Sequence, residues 1–482
     1  MEQIKWILFF ISLLSFGNTF SQPSNPTTDF YTEINQKTKI DSTCKILLTS
    51  VIITGNKKTK DYVILREMNI KTGDSITASK LYDKLKESRN LIYNTNLFSI
   101  VEVVPYLSNA FEFTISIHVI EKWYIYPTPQ FKLVDRNFND WLKTYHADFK
   151  RVNYGMRFSH YNVSGRGDQL NIELINGYTR NYSASYVAPY SNAKLTEGFS
   201  VGMGYSQNKE LSYQTSYNNK LLLFKTDQFN RTNFYFNASY RKRKGFYNRH
   251  FFAMQFNYLQ VNDSITSFYN PNYFNSNKSK MPILDLSYGF QYINVNNINY
   301  PLNGKIYTFS LTKRGLGIKG GINMLTLDAS YRKYFRHPRH FYSSIAIFSK
   351  ITLPFEQAYI NQRALGFGDF YLNGFEYYVI DGVASALAKY NLSKKIVSFK
   401  IPVPFKIKQL PYIPFSFYAK TFANFGFAYN KKKCETNLNN RLLYSGGFGI
   451  DIISLYDLKL SLEFSYNQLG EKGLFLHARN IL

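Results

Sequence analysis

Cysteine is nearly missing from this chain, with 2 in 482 residues, too few for a disulfide scaffold. Long apolar runs are missing too. A membrane helix needs about twenty consecutive apolar residues, and nothing after the short run Trp6 to Leu14 approaches that, which excludes a helical membrane protein. Acidic residues are scarce, 32 against 58 Lys and Arg, leaving a net charge of +26. Metal-ligand spacing is lacking among the 7 His. His337 and His340 lie close together, but beside Pro338 and among Arg336 and Arg339, without Cys or carboxylate support. One string, Gly198 to Gly202, fits the G-x-S-x-G nucleophile pattern, which needs a strained turn leading into a helix. Here the chain runs on through Met203, Gly204 and Tyr205 in strand alternation, so Ser200 reads as a small residue in a strand. No catalytic residue, metal or cofactor is expected.

What is present begins with Lys5, the apolar run to Leu14 and a short segment, Gly17 to Gln22, suited to cleavage. That is the pattern of a secretory signal peptide, expected over 1–21 and followed by a polar linker over 22–44. Cys44 stands far beyond the apolar run, behind Asp41, Ser42 and Thr43, a poor setting for an acylated N-terminal cysteine. Aromatics make up 18% of the chain, with 41 Tyr and 42 Phe, more than a soluble core requires. Tyr rings suit a membrane surface, and a lipid-facing barrel uses them. The mean hydropathy is nonetheless slightly negative, as expected where lipid-facing apolar residues alternate with lumen-facing polar ones.

The positive charge does not point to nucleic acid. Lys45 to Lys122 holds 11 basic against 8 acidic residues, so the excess lies further along. There it falls in turn-like clusters, Arg241 to Lys244 and Lys431 to Lys433, not along a helix face. Solvated loops beside anionic lipid head groups explain it.

Residues 45–123 have their own grammar. Ile46 to Ile53 is a strand ending in Thr54, Gly55 and Asn56, a turn. A helical stretch with Val63, Ile64 and Met68 ends at Gly73 and Asp74. Thr77 opens a second helix in which Leu81, Leu85, Ser88 and Ile92 recur at three- and four-residue spacing. Ile100 to Tyr106 and Phe111 to Ile120 close the unit as strands, giving β-α-α-β-β, with Ile52, Leu65, Leu81, Leu85, Leu97 and Ile117 in the core.

This order resembles a POTRA domain, the periplasmic module of BamA-like and TamA-like outer-membrane proteins. The resemblance rests on VIITGNKKTK (Val51 to Lys60), LREMNIKTGD (Leu65 to Asp74), LIYNTNLFSIVEV (Leu91 to Val103) and VIEKW (Val119 to Trp123) taken together, with turns at Gly55, Asn56 and Gly73. It implies an exposed sheet edge able to capture extended polypeptide; the alternative is a spacer.

From Phe131 onward alternation persists. Phe234, Phe236, Ala238 and Tyr240 share one face, as do Leu286, Tyr288, Phe290 and Tyr292. So do Leu327, Ala329 and Tyr331, and Leu460, Leu462, Phe464 and Tyr466. At about 22 residues per strand and loop, the segment holds roughly sixteen strands. The fold class is therefore mainly β, a transmembrane antiparallel barrel over 124–482 behind one small α/β domain. PTPQFKLVDRNFNDW (Pro127 to Trp141), NVSGRGDQL (Asn162 to Leu170) and LGFGDFYLNGFEYYVIDG (Leu365 to Gly382) resemble the same superfamily. The last is similar to its inward-folding sixth extracellular loop, whose tip carries an Arg that reaches carboxylates on the following strands. Leu372, Gly374 and Phe375 keep that pattern, but Asn373 stands in place of the Arg. Asn424 stands where the family usually has Asp, and Asn391 is near where a Glu is common. Charge is expected to be lost on both sides, with neutral Asn groups exchanging hydrogen bonds.

The resemblance implies an outer-membrane assembly or translocation factor, with its N-terminal domain in the periplasm. Its partners would be unfolded or extended outer-membrane or secreted polypeptides, outer-membrane lipids, and periplasmic or lipoprotein subunits; nucleic acid is not among them. A passive pore and a barrel-embedded hydrolase are the alternatives. One POTRA-like unit is fewer than the housekeeping insertases carry, so a specialised paralogue is expected.

Strand counting places Cys44 on the periplasmic side and Cys434, in a basic loop, on the exterior. The hydrocarbon slab of such barrels is roughly 25 Å tall, whereas a disulfide needs Cα atoms within about 7 Å. Membrane-impermeant maleimide on intact cells is expected to label Cys434 and spare Cys44; a Cys44–Cys434 disulfide would overturn this topology.

Overall fold

The fold was obtained as a computed structural model that describes residues 43–109, 111–133, 146, 148–276, 278–315, 322–368, 370–403, 412–431 and 436–479. The expected signal peptide, most of the linker, Trp141 and Cys434 lie outside the described residues. The chain divides into two compact units. The first holds the described residues through Ile52 with Ile70–Lys86 and Val103–Ile117; the second holds Ile53–Asn69, Glu87–Glu102 and the chain from His118.

The N-terminal module runs β1 (Lys45–Thr54), α1 (Asp61–Leu65), β2 (Ser75–Thr77), α2 (Ala78–Tyr93), β3 (Phe98–Leu107) and β4 (Glu112–Glu121). Its four-stranded sheet has the order β2-β1-β4-β3. The expected β-α-α-β-β order thus gains a short strand, β2, directly before α2. Leu85, Leu97 and Ile117 are buried as expected, and Leu81 is half-buried. Ile52 and Leu65 are not: both are exposed. On β1 the inward side passes from Ile46 and Leu48 to the odd positions Val51 and Ile53, which turns Ile52 out. On α1 the buried residues are Val63 and Ile64, and Leu65 lies about 100° round the helix from Ile64.

Gly55 has φ +91°, and a Cβ there would stand 1.9 Å from the Val119 carbonyl oxygen, so only glycine fits the turn. Next to it, Asn56 Nδ2 donates to the Thr59 carbonyl at 3.0 Å. Gly73, also at positive φ, donates its N–H to Leu48 O on the way into β2. Glu121, buried at the end of β4, accepts from the N–H groups of Lys58 and Thr59 at 3.1 and 2.6 Å, which gives the Glu of VIEKW a structural task.

Sixteen strands form one antiparallel sheet: β5 (Ile125–Leu133), β6 (Val152–Tyr161), β7 (Gln169–Gly177), β8 (Thr179–Ala188), β9 (Glu197–Asn208), β12 (Arg231–Lys244), β13 (Asn248–Val261), β14 (Lys280–Val295), β15 (Gly304–Arg314), β16 (Met324–Arg336), β17 (Phe341–Leu353), β20 (Ala384–Pro402), β21 (Tyr412–Tyr429), β22 (Leu442–Ile453), β23 (Lys459–Asn467) and β24 (Lys472–Arg479). Two hairpins stand outside it, β10 (Glu210–Thr215) with β11 (Leu221–Lys225), and β18 (Arg363–Leu365) with β19 (Ile380–Asp381). Each sheet strand pairs with the next in sequence order, so the turns alternate between the end where β5 begins, here the near end, and the far end. The loop from β17 to β20 is the sixth at the far end.

Period-two alternation places Phe234, Tyr240, Leu286 and Leu462 on the exposed outer face. Tyr292, Tyr307 and Tyr331 are paired across three strands on that face, with ring centroids 5.5 and 5.1 Å apart. Lys305 lies 5.5 Å from two of the rings. This is the aromatic girdle that a membrane surface favours.

The side chain of Phe113 is fully buried on β4. Phe113→Ala is expected to cost about 3–5 kcal/mol, measured as faster hydrogen exchange of β1 and β4 amides in the full chain, with β13 to β16 unchanged.

Candidate functional site

Between β17 and β20 the chain forms a loop clamped by the β18–β19 ladder, Arg363 to Asp381 and Leu365 to Ile380. Leu365, Leu372, Phe375 and Ile380 are buried in one apolar cluster with Leu387 of β20, Ala428 of β21 and Leu443 of β22. Gly426 makes room for this: a Cβ there would come within 2.7 Å of the Leu372 side chain. Gly374 turns the tip at φ +90°, facing Ser445 and Ser465. Its carbonyl accepts from Asn467 Nδ2 at 2.8 Å, and its N–H donates to Glu376 at 2.8 Å.

Asn373, at the tip, is held by three partners. Its Nδ2 donates to Glu463 of β23. Its Oδ1 accepts from Lys389 of β20 at 3.1 Å and from Asn424 of β21 at 3.4 Å. Asn424 is 1% exposed and also reaches Ser445 Oγ. Asn391 does not join them; its Nδ2 donates to Ser344 Oγ of β17 at 3.3 Å.

The expected loss of charge is not what the lumen contains. Lys420 of β21 lies 2.6 Å from Asp451 of β22 and 2.5 Å from Glu463, all three being buried. Lys459 reaches Asp451 at 3.2 Å. Ser461 Oγ and the Tyr300 hydroxyl donate to the same carboxylate. Carboxylates are therefore retained, and the cations that meet them stand on the barrel wall instead of the loop tip. The signal was in the sequence: between the outward Leu460, Leu462 and Phe464 lie Ser461, Glu463 and Ser465, all buried, which is the opposite face of the same alternating strand.

The loop also reaches the last strand. Tyr371 OH lies 3.2 Å from Nδ1 of His477 on β24, and His477 Nε2 is 3.3 Å from Glu376 and 3.6 Å from Glu463. Tyr378 donates to Glu471, in the turn between β23 and β24, at 2.7 Å. Burial and this acceptor push the Tyr378 phenol up to about 12, while the same hydrogen bond lowers Glu471 below its usual range.

Other residues singled out in the sequence fall elsewhere. Ser200 lies inside β9, its Oγ 2.6 Å from Ser239 Oγ. His337 contacts Ser343 in the β16–β17 turn. Among the described residues no cluster of His, Cys, Asp or Glu could hold a metal.

Breaking the buried cluster from one side is the costly change. Lys420→Met is expected to lower barrel stability by about 3–5 kcal/mol, seen as loss of the heat-modifiable gel shift at lower temperature. Asn373→Arg, set against Lys389, is expected to destabilise, and adding Asn424→Asp to restore part of the loss. Additive effects in that cycle would show that the two side chains do not act on each other.

A family model described as POTRA, surface antigen variable number repeat, matches residues 47–122. The Omp85 superfamily domain matches residues 162–467. Of the solved structures, CdiB from Escherichia coli is similar over 90% of this chain and 75% of its own, at 10% identity and TM-score 0.52. BamA from Haemophilus ducreyi lacking POTRA domains 1–3 is similar over 89% and 83%, at 15% identity and TM-score 0.49. No curated protein matches.

Proposed function

Because the chain belongs to the Omp85 superfamily, a family of outer-membrane protein assembly and translocation, we propose that it inserts or exports extended polypeptides at a seam between β5 and β24. The observation that carries this reading is the order of the sheet. Each interior strand has two neighbours, the order ends at β24 and β5, and among the described residues no ladder joins those two. A strand edge with free backbone groups is a template for an incoming strand. β24 is short, at 8 residues, and its outward Leu474 and Leu476 are among the most exposed apolar residues of the sheet. Near the seam, the sixth loop grips β23 through Asn373 and Glu463 and faces β24 through Tyr371 and His477.

In this reading the barrel lies in the outer membrane with its near end toward the periplasm, where the POTRA domain receives the client. An extended client segment then pairs with the free edge, its backbone groups exchanging water for ladder hydrogen bonds before they meet hydrocarbon, where unpaired groups are not tolerated.

The test closes the seam. In a chain with Cys44→Ser and Cys434→Ser, single cysteines are scanned along Ile125–Phe131 and Leu474–His477 for pairs that oxidise to a disulfide. Purified protein in liposomes is then offered a urea-unfolded outer-membrane barrel. Insertion, read as heat-modifiable client, is expected to fall to the level of empty liposomes when the seam is bonded and to return on reduction. Insertion that persists with the seam closed would sink the proposal.

A further inference from the structure

β20 and β21 are 19 and 18 residues long, whereas a membrane-crossing strand needs only about 9–11. The excess is at the near end. β17 pairs with β20 only as far as Lys394, and β22 pairs with β21 only from Ser416. The β20–β21 ladder nevertheless continues to Pro402 and Tyr412. A two-stranded ribbon thus projects beyond its neighbours, unequally: at a strand's usual rise the overhang is roughly 26 Å on β20, from Lys395 to Pro402, and roughly 13 Å on β21, from Tyr412 to Phe415.

The ribbon has two unlike faces. Val397, Phe399 and Ile401 stand opposite Phe417, Phe415 and Ile413, and Phe399 stacks on both phenyl rings at 5.6 and 5.9 Å. The other face carries Ser398 and Lys400 opposite Ser416 and Pro414. Lys400 lies 4.2 Å from the Tyr412 ring.

The apolar face continues the barrel's outer face. On β21 the lumen takes the even positions Lys420 and Asn424, so Phe417, Phe415 and Ile413 point outward. On β20 the lumen takes Lys389, which would turn the odd positions inward. A bulge between Lys395 and Val397 resets the parity, so that Val397, Phe399 and Ile401 come out beside their partners. Without that extra residue the ribbon would carry apolar groups on both faces.

From this continuity we infer that the β20–β21 ribbon is an interfacial anchor, its apolar face resting on the inner, phospholipid leaflet of the membrane that the barrel spans. The inference rests on the outer-membrane reading above. Free ladder edges cannot lie in hydrocarbon, so the ribbon sits at head-group depth, where water and phosphate satisfy its backbone while the apolar face meets the acyl chains. Lys394, on the outward parity of β20 opposite Phe341 at the near end of β17, lies 5.1 Å from that ring and supplies a cation at the phosphate level, its stem lying along apolar surface. Pro402, Pro414 and the bulge blunt the edges against strand addition, which argues for lipid over a pairing polypeptide.

The experiment uses the full chain in nanodiscs of phosphatidylethanolamine and phosphatidylglycerol, with Trp6→Phe, Trp123→Phe and Trp141→Phe to clear all three native tryptophans, each variant first checked for heat-modifiable folding. Single tryptophans are introduced by Phe399→Trp on the ribbon's apolar face, Ser398→Trp on its polar face and Phe448→Trp on the outer wall of β22. Acyl-brominated lipid is expected to quench Phe399→Trp and Phe448→Trp with blue-shifted emission and to leave Ser398→Trp largely unquenched. Quenching of Phe448→Trp alone, with Phe399→Trp open to aqueous acrylamide, would overturn the anchor. Failure to quench Phe448→Trp would overturn the membrane reading and the anchor with it.

Discussion

In a bilayer every backbone N–H and C=O must find a partner within the protein, and most of this structure follows from that requirement. It fixes the sixteen-stranded antiparallel ladder, and the ladder's period of two then decides which side chains meet lipid and which meet the lumen. Two places strain the rule: the ends of the strand order at β5 and β24, and the ribbon where β20 and β21 outrun their neighbours. The first is the edge that the proposed function assigns to a client. The second keeps its edges with proline and a bulge and turns only its apolar face outward.

The lumen answers a related constraint. A carboxylate inside a barrel wall needs a cation within reach; Asp451 and Glu463 share Lys420, and Asp451 also meets Lys459. In the family pattern the cation comes from the loop tip. With wall lysines supplying it, the tip needs only a neutral group that donates on one side and accepts on the other, which is what an Asn amide offers. The tip is then held by modest neutral and charge-assisted bonds rather than by a bidentate Arg.

Much of this was legible in the sequence because alternation is a strong signal when repeated. The outward sets on β12, β14, β16 and β23 and the strand number follow from it, and the FYLNGF string located the loop. Ile52 and the ribbon differ from expectation for one shared cause: both depend on which parity faces which side, and a single irregularity changes it, whereas Leu65 is a matter of helix phase. On β1 the inward side shifts between Leu48 and Val51, and on β20 it shifts at Ile396; neither position carries a glycine or proline to announce it. Glu463 lies on the polar half of a strand whose apolar half carries the alternation signal.

The second unit also ties segments near the start of the chain to the near-end turns through polar contacts. Asn162 donates to Thr59 Oγ1 and Lys60 donates to Gly165 O in the β6–β7 turn. Glu67, 2% exposed, receives both terminal nitrogens of Arg243 at 2.5 and 2.6 Å and the Tyr190 hydroxyl at 3.0 Å. Asn94 bonds Val295 O, and Tyr93 bonds Asp457. A bidentate pair this buried is costly to open from one side. The near-end ties add nothing that conduction needs, and a lumen wall occupied by an apolar-packed loop and a desolvated charge cluster obstructs water, so neither serves a passive pore. A machine that opens sideways needs both: a rim that stays fixed while the seam yields, and a loop whose contacts favour the strands next to that seam. The distribution of buried polar groups therefore favours polypeptide handling at the seam over diffusion through the lumen.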